Sequence, residues 1–180
     1  MPLWFMEEKA IEYELVKMDL QTQQHRQADF LSINPFGKLP ALIDSNVLHD
    51  DGSPLQLFES GAILLHLAEN YTRETNTPAQ RALISQWVLF ANSTLSIALF
   101  VPSSREREFP RLMEALNHQL DPALPLVGEF WSAADCAVQA HLSYLPLFFP
   151  ELDLSPYPVV QAVIERTSQR PAYKLAMALS

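Results

Sequence analysis

The stretch SAADCAVQAHLSYLPLFF (residues 132–149) constrains the fold of this chain more than any other. It is almost wholly apolar, so a helix made from it has no face for solvent and must lie inside other helices. The neighbouring segments supply them. Leu83, Trp87, Phe90, Leu95 and Ala98 recur at helical spacing within a long segment spanning 78–100. EREFPRLMEALNHQL is a second helix, with a break around Pro122 and Pro125. PVVQAVIERTSQ and PAYKLAMAL close the chain, each opening with proline at a first helical position. Ser132 and Asp135 have the spacing of a capping box: the serine hydroxyl accepts from the Asp135 N–H, and the aspartate reaches back to the Ser132 N–H. Trp131 and Cys136 occupy the positions of a hydrophobic staple around it. The motif is structural; it fixes the start of a buried helix.

Before Tyr71 the pattern is different. AIEYELVKM (10–18) alternates Ile11, Tyr13 and Leu15 with Glu12 and Glu14, and reads as a strand. RQADFLSIN is a short helical turn. LPALI is a brief strand with Pro40 at its start, where proline is tolerated. Asp51 and Gly52 mark a turn, and LQLF follows as another short strand. ESGAILLHLAENY is an amphipathic helix with Ile63, Leu64, Leu67 and Ala68 on one stripe. TRETNTPAQ is polar and contains a proline, so it reads as a linker. The expected organisation is a small αβ domain over 1–72, a linker over 73–80 and an all-α domain over 81–180.

With 48% hydrophobic and 18% charged residues the chain is globular rather than disordered. Its net charge of −9, with no run of Lys or Arg, argues against nucleic acid and anionic membrane as partners. No apolar run is expected to reach the roughly 18 residues of a membrane span. The opening MPLWFMEEKAIEYE has no basic region and turns acidic at once, unlike a secretory signal. The single cysteine, Cys136, excludes an internal disulfide and a CxxC pair. A cytoplasmic protein is the expectation, and no metal site is expected.

An αβ unit followed by a helical unit makes a cleft, a common place for small molecules. Glu59 and Ser60 open the helix that ends at Tyr71. Its first N–H groups have no intrahelical partner and carry partial positive charge, so a ligand carboxylate suits them, with the Ser60 hydroxyl as a further donor. Glu59 suits a ligand ammonium. Both charges together describe an amino-acid head group. The simpler role of Ser60 is a helix cap, and of Glu59 a favourable first-turn acid. A cis bond between Leu39 and Pro40 would turn the Leu39 N–H and C=O outward, where they would pair with a peptide-like ligand as an added strand does.

The segments NPFGKLPALID and LFESGAILLHLAENY resemble the amino-terminal domain of a cytosolic glutathione transferase. FWSAADCAVQAHLSYLPLFFP and YPVVQAVIERTSQRPAYKLA resemble the carboxy-terminal helical domain of that family, capping box included. The resemblance covers nearly the whole chain. It implies a thioredoxin-like domain followed by an all-helical one, glutathione as co-substrate, and a homodimer. It implies that Glu59 and Ser60 hold the γ-glutamyl head, that Leu39 pairs with the cysteinyl backbone beside cis-Pro40, and that Lys38 and His25 reach the glycyl carboxylate. Trp87, Phe90 and Tyr144 would line the pocket of an apolar electrophile, although aromatics at helical spacing usually pack in a core. One departure stands out. The family begins with an apolar strand and a loop carrying a thiol-activating Tyr, Ser or Cys, whereas MPLWFMEEKAIEYE resembles only the end of the helix that follows. The first strand and the activator are expected to be missing.

The resemblance implies a detoxifying transferase that joins the glutathione thiol to a small electrophile. The alternative is a glutathione-binding or protein-interaction module without turnover. A thioredoxin-like oxidoreductase using Cys136 is disfavoured, because a free cysteine inside an apolar helix packs as a small hydrophobe; a disulfide reductase using glutathione's own thiol stays open.

Overall fold

The computed structural model describes residues 1–75 and 77–179. Pro2 sits at the start of α1 (Pro2–Lys9), and the helix ends at Ala10 in the left-handed conformation (φ 52°). Residues 11–19 form no regular secondary structure and join no sheet, so the expected strand over 10–18 does not form. Alternation shows only that one side of a segment is apolar; a strand also needs a partner to bond, and this segment pairs with none among the described residues. Ile11 and Tyr13 still pack against the core.

A short 3-10 turn (Gln24–Arg26) and α2 (Ala28–Leu31) lead to the sheet. This has two antiparallel strands, β1 (Ala41–Leu48) and β2 (Pro54–Phe58), with Ala41 opposite Phe58 and Leu42 opposite Leu57. β1 is longer than LPALI suggested, and its register shifts between Asp44 and Leu48. Helix α3 (Ser60–Tyr71) follows and buries Ile63, Leu64, Leu67 and Ala68, the stripe read from the sequence. Asp44, buried in β1, ties the sheet to α3: His66 Nε2 lies 2.7 Å from its Oδ2, and the Tyr71 hydroxyl donates to its Oδ1 at 2.6 Å.

The segment between α3 and the next helix is not a loose tether. Thr75 is buried, and the Glu74 carboxylate accepts from the Ala133 N–H at 2.6 Å. Helix α4 (Pro78–Leu89) opens with a capping box of Thr77 and Gln80 around Pro78, inside the stretch that reads as linker; Asn76, in the same stretch, lies outside the described residues. A π-turn (Phe90–Leu95) joins α4 to α5 (Ser96–Phe100). By length and composition alone the run Pro78–Phe100 is apolar enough to cross a membrane, contrary to the sequence expectation. Its apolarity has a use inside the fold: Ile84, Val88, Ala91, Leu95, Ala98 and Leu99 are buried, against α6 (Pro102–Gln119) and α7 (Ala133–Leu142).

Helix α7 is the centre, with every residue buried except Gln139, but the single buried helix expected over 132–149 ends at Leu142, and in the short helix Leu145–Phe148 that follows Leu147 and Phe148 are exposed. The Ser132–Asp135 box forms at its start. Asp135 Oδ2 accepts from the Ser132 N–H (2.9 Å) and hydroxyl (3.0 Å), and Oδ1 accepts from the Leu126 N–H (2.9 Å). Burial pushes the Asp135 carboxyl above its ordinary range, against the pull of these bonds. α8 (Leu145–Phe148), α9 (Pro158–Gln169) and α10 (Pro171–Leu179) complete the bundle. Trp131 lies where α1, α7 and α10 meet, with the Trp4 ring 5.0 Å away and the Arg170 guanidinium 4.9 Å over its face.

Candidate functional site

The site is organised by the loop before β1. Asn34 is buried and works in three directions: its Nδ2 donates to the Lys38 carbonyl (2.7 Å), its Oδ1 accepts from the Phe36 N–H (3.1 Å), and its own carbonyl accepts from the Gly37 N–H (3.0 Å). Gly37 has φ +60°, and a methyl there would stand 2.9 Å from the His25 carbonyl oxygen. Only glycine lets the 24–26 turn lie against this loop. His25 therefore sits beside the segment carrying Lys38, and its Nδ1 is buried without a hydrogen-bond partner.

Leu39 and Pro40 come next, joined by a cis peptide bond. Lys38, Leu39 and Pro40 are all exposed. The Lys38 carbonyl is held by Asn34, while among the described residues the Leu39 N–H and C=O take part in no turn, loop or cap hydrogen bond. The pairing of β1 with β2 ends at Ala41 opposite Phe58, so Leu39–Pro40, which lead into β1, and Glu59–Ser60, which follow β2, lie at the same end of the hairpin.

The start of α3 is built unlike those of α4 and α7. Those two are closed by capping boxes; here Glu59 is the N-cap residue, with φ 69° and ψ 116°, and its side chain makes no capping bond. Ser60 is the first helical residue, so neither it nor Glu59 plays the simple capping role. The first turn also holds no acidic side chain beyond Glu59. Free N–H groups at a helix N-terminus attract an anion. A non-glycine residue at positive φ costs about 1–3 kcal/mol and persists where the surroundings enforce it, often at ligand sites.

A residue that sequence reasoning missed completes the arrangement. Asn92, in the π-turn, donates from Nδ2 to the Ser60 hydroxyl oxygen at 3.0 Å. The available signal was an amide in the otherwise apolar face of LFANSTLS, but helical periodicity does not report a π-turn.

The remaining sequence candidates separate into groups. Trp87 and Phe90 form an edge-to-face pair (5.6 Å), while Tyr144 belongs to a cluster with Phe100 (5.8 Å) and Phe148 (5.5 Å). No ring contact joins the two groups among the described residues. Tyr13 gives its proton to Glu7, and burial together with that carboxylate pushes its hydroxyl up to about 12. Cys136 is fully buried, which pushes its thiol upward and keeps it protonated. No group of three His, Cys, Asp or Glu side chains is arranged for a metal among the described residues. A groove of about 240 Å³ between the 122–131 loop and α9, lined by Phe130, Trp131, Arg166 and Arg170, does not include Leu39, Glu59 or Ser60.

Against known proteins, a family model described as glutathione S-transferase, N-terminal domain, matches residues 1–69. The disulfide-bond oxidoreductase YfcG of Escherichia coli (strain K12) is 35% identical over 187 residues, covering 93% of this chain and 84% of that protein. The chain belongs to the glutathione transferase family. Another member, the transcriptional regulator URE2 of Saccharomyces cerevisiae, is 35% identical over 95 residues; the match takes in 49% of this chain and 25% of that protein. Among solved structures, a glutathione transferase from Burkholderia graminis, with two glutathione molecules bound per subunit, superimposes with a TM-score of 0.77 at 29% identity, covering 98% of this chain and 82% of that one. One from Pseudomonas putida, with one glutathione disulfide bound per subunit, gives 0.78 at 27% identity over 98% and 85%. The architecture is that of the glutathione transferase family, a thioredoxin-like amino-terminal part followed by an all-helical one.

Proposed function

We propose that this glutathione transferase family member binds glutathione at the end of the hairpin that carries Leu39–Pro40 and Glu59–Ser60. The carrying observation is the Ala41–Phe58 pair, which brings the entry to β1 and the exit from β2 to one end, next to the uncapped start of α3. The γ-glutamyl carboxylate goes to the free N–H groups of α3 and the Ser60 hydroxyl. The ammonium goes to Glu59. The cysteinyl backbone pairs with the Leu39 N–H and C=O as one more extended strand would. Lys38 and the His25 turn stand beside Leu39, on the side of the glycyl carboxylate. The neighbours' bound glutathione and glutathione disulfide support the ligand class.

The reaction we propose is transfer of the glutathione thiol to a small apolar electrophile. The thiol must first ionise, since the thiolate is the nucleophile. Its proton goes to solvent, and the electrophile's leaving group departs as the carbon–sulfur bond forms. The second reading, binding without turnover, is favoured by the state of two side chains: the Tyr13 hydroxyl is bound to Glu7 and the Cys136 thiol is sealed in the core, so neither is free to take the glutathione proton. Exposed Leu83, Leu89, Ile97 and Phe100 on the α4–α5 run support a homodimer that covers them, and a cytoplasmic, detoxifying role accompanies the transfer reading.

Retention on immobilised glutathione followed by an assay with an activated aryl halide tests both readings. Retention with conjugation supports transfer. Retention without conjugation supports the binding module, and a folded protein that flows through contradicts both.

A further inference from the structure

Departures from ordinary local structure gather where α3 meets the π-turn. Glu59 stands at positive φ. Residues Phe90–Leu95 leave α-helical geometry for a π-turn, a form that is rare and frequently sits at functional sites. Gly61 brings the two helices into close approach: a methyl there would lie 2.9 Å from Asn92 Nδ2 and 3.2 Å from Val88 Cγ1. The Asn92 Oδ1 is buried with no hydrogen-bond partner among the described residues, and leaving an acceptor unmatched costs free energy. Sites that break several local rules together are where function is expected.

The chemistry of the Asn92–Ser60 contact has a direction. A hydroxyl offers one proton and two acceptor lone pairs. Asn92 Nδ2 donates to Ser60 Oγ at 3.0 Å and so occupies a lone pair. The Ser60 proton must point elsewhere, and no protein acceptor takes it among the described residues.

We propose that Asn92 is a positioning residue: the π-turn carries its amide over Gly61 onto Ser60, and by filling a lone pair of that hydroxyl it leaves the Ser60 proton for the anionic end of the ligand head group. This rests on the glutathione-binding reading above. Asn92 acts through Ser60 and does not itself touch the ligand.

Calorimetric titration with glutathione tests it on the wild type, Asn92→Ala, Asn92→Asp, Ser60→Ala and the Asn92→Ala/Ser60→Ala double variant, each first checked for a cooperative thermal transition. Asn92→Ala should weaken binding about fivefold to tenfold, the size of one well-made hydrogen bond. Asn92→Asp should weaken it further, because a carboxylate accepts the Ser60 proton and turns it away from the ligand. The double variant should bind no more weakly than Ser60→Ala alone, the signature of two residues acting as one unit. A purely packing role would instead add its loss to that of Ser60→Ala.

Wild-type affinity in Asn92→Ala, or a loss that persists undiminished in the Ser60→Ala background, overturns the proposal while leaving glutathione binding intact. A wild type that does not bind glutathione overturns both. If Asn92→Ala does not fold, the isosteric Asn92→Asp carries the test with a glutathione analogue lacking the glutamyl α-carboxylate. That analogue should bind wild type and Asn92→Asp alike; an equal loss for both ligands contradicts the assignment.

Discussion

Glu74 joins the two halves of the chain through Ala133: its Oε2 accepts the N–H of the first residue of α7 at 2.6 Å. Lys9 Nζ stands 3.2 Å from the other carboxylate oxygen and donates to the Trp131 carbonyl at 2.6 Å. Three elements thus meet at one charged group: α1, the segment after α3, and the start of α7. Glu74→Ala leaves the Ala133 N–H without its acceptor and Lys9 without its counter-charge. The expected loss is roughly 1–3 kcal/mol, read as a lower denaturant midpoint with an unchanged slope.

The capping box should behave as a unit. Ser132→Ala is expected to cost about 1 kcal/mol. Asp135→Ala removes the acceptor for the Ser132 N–H, the Ser132 hydroxyl and the Leu126 N–H, and should cost more, roughly 1–3 kcal/mol. In the double variant the losses should fall short of their sum, because the two residues share their bonds. Full additivity in chemical denaturation would refute that coupling.

Gly37 is a position where shape alone decides. Gly37→Ala meets the left-handed backbone penalty and a carbonyl oxygen 2.9 Å away, with backbone on both sides of the clash. It should destabilise by more than about 1 kcal/mol and weaken glutathione binding, since relief requires the His25 turn to move away from Lys38. A melting temperature and affinity equal to wild type would contradict this account of the loop.

The sheet-to-α3 contact carries a pH signature. Burial raises the Asp44 carboxyl, but hydrogen bonds from Tyr71, His66 and the Asn46 N–H outweigh it, and the net position is below the ordinary 3.8. A carboxyl lower in the folded than in the unfolded state stabilises the fold at pH values above the unfolded value, and that contribution disappears as pH falls through the folded one. The stability gap between wild type and Asp44→Asn should therefore close as pH falls below about 4. A gap that widens as pH falls from about 4 would reverse the sign of the argument.

Much of the fold was legible because its signals are local. The Ser132–Asp135 box, the apolar α7, the stripe of α3 and proline at the start of β1 each depend on residues within a turn or two of one another. The strand expected over 10–18 failed because pairing depends on a distant neighbour, which alternation cannot report. Thr77, Pro78 and Gln80 were legible as a helix start, yet the polarity around them read as linker; burial of Thr75 and the Glu74 bond arise only from tertiary contact. At the site, Leu39, Pro40, Glu59 and Ser60 could be named from sequence, and the Ala41–Phe58 pair brings the segments that carry them to one end of the hairpin. Asn92 could not, since its link to Ser60 crosses from one helix to another through a π-turn.

The most direct measurement is a titration of isotope-labelled protein with glutathione, followed by backbone amide NMR. Binding at the hairpin end predicts saturable shifts at the Leu39, Ser60 and Gly61 amides, with a smaller response at Lys38. Shifts confined to the groove around Trp131, Arg166 and Arg170, or none in a folded sample at millimolar glutathione, would contradict it.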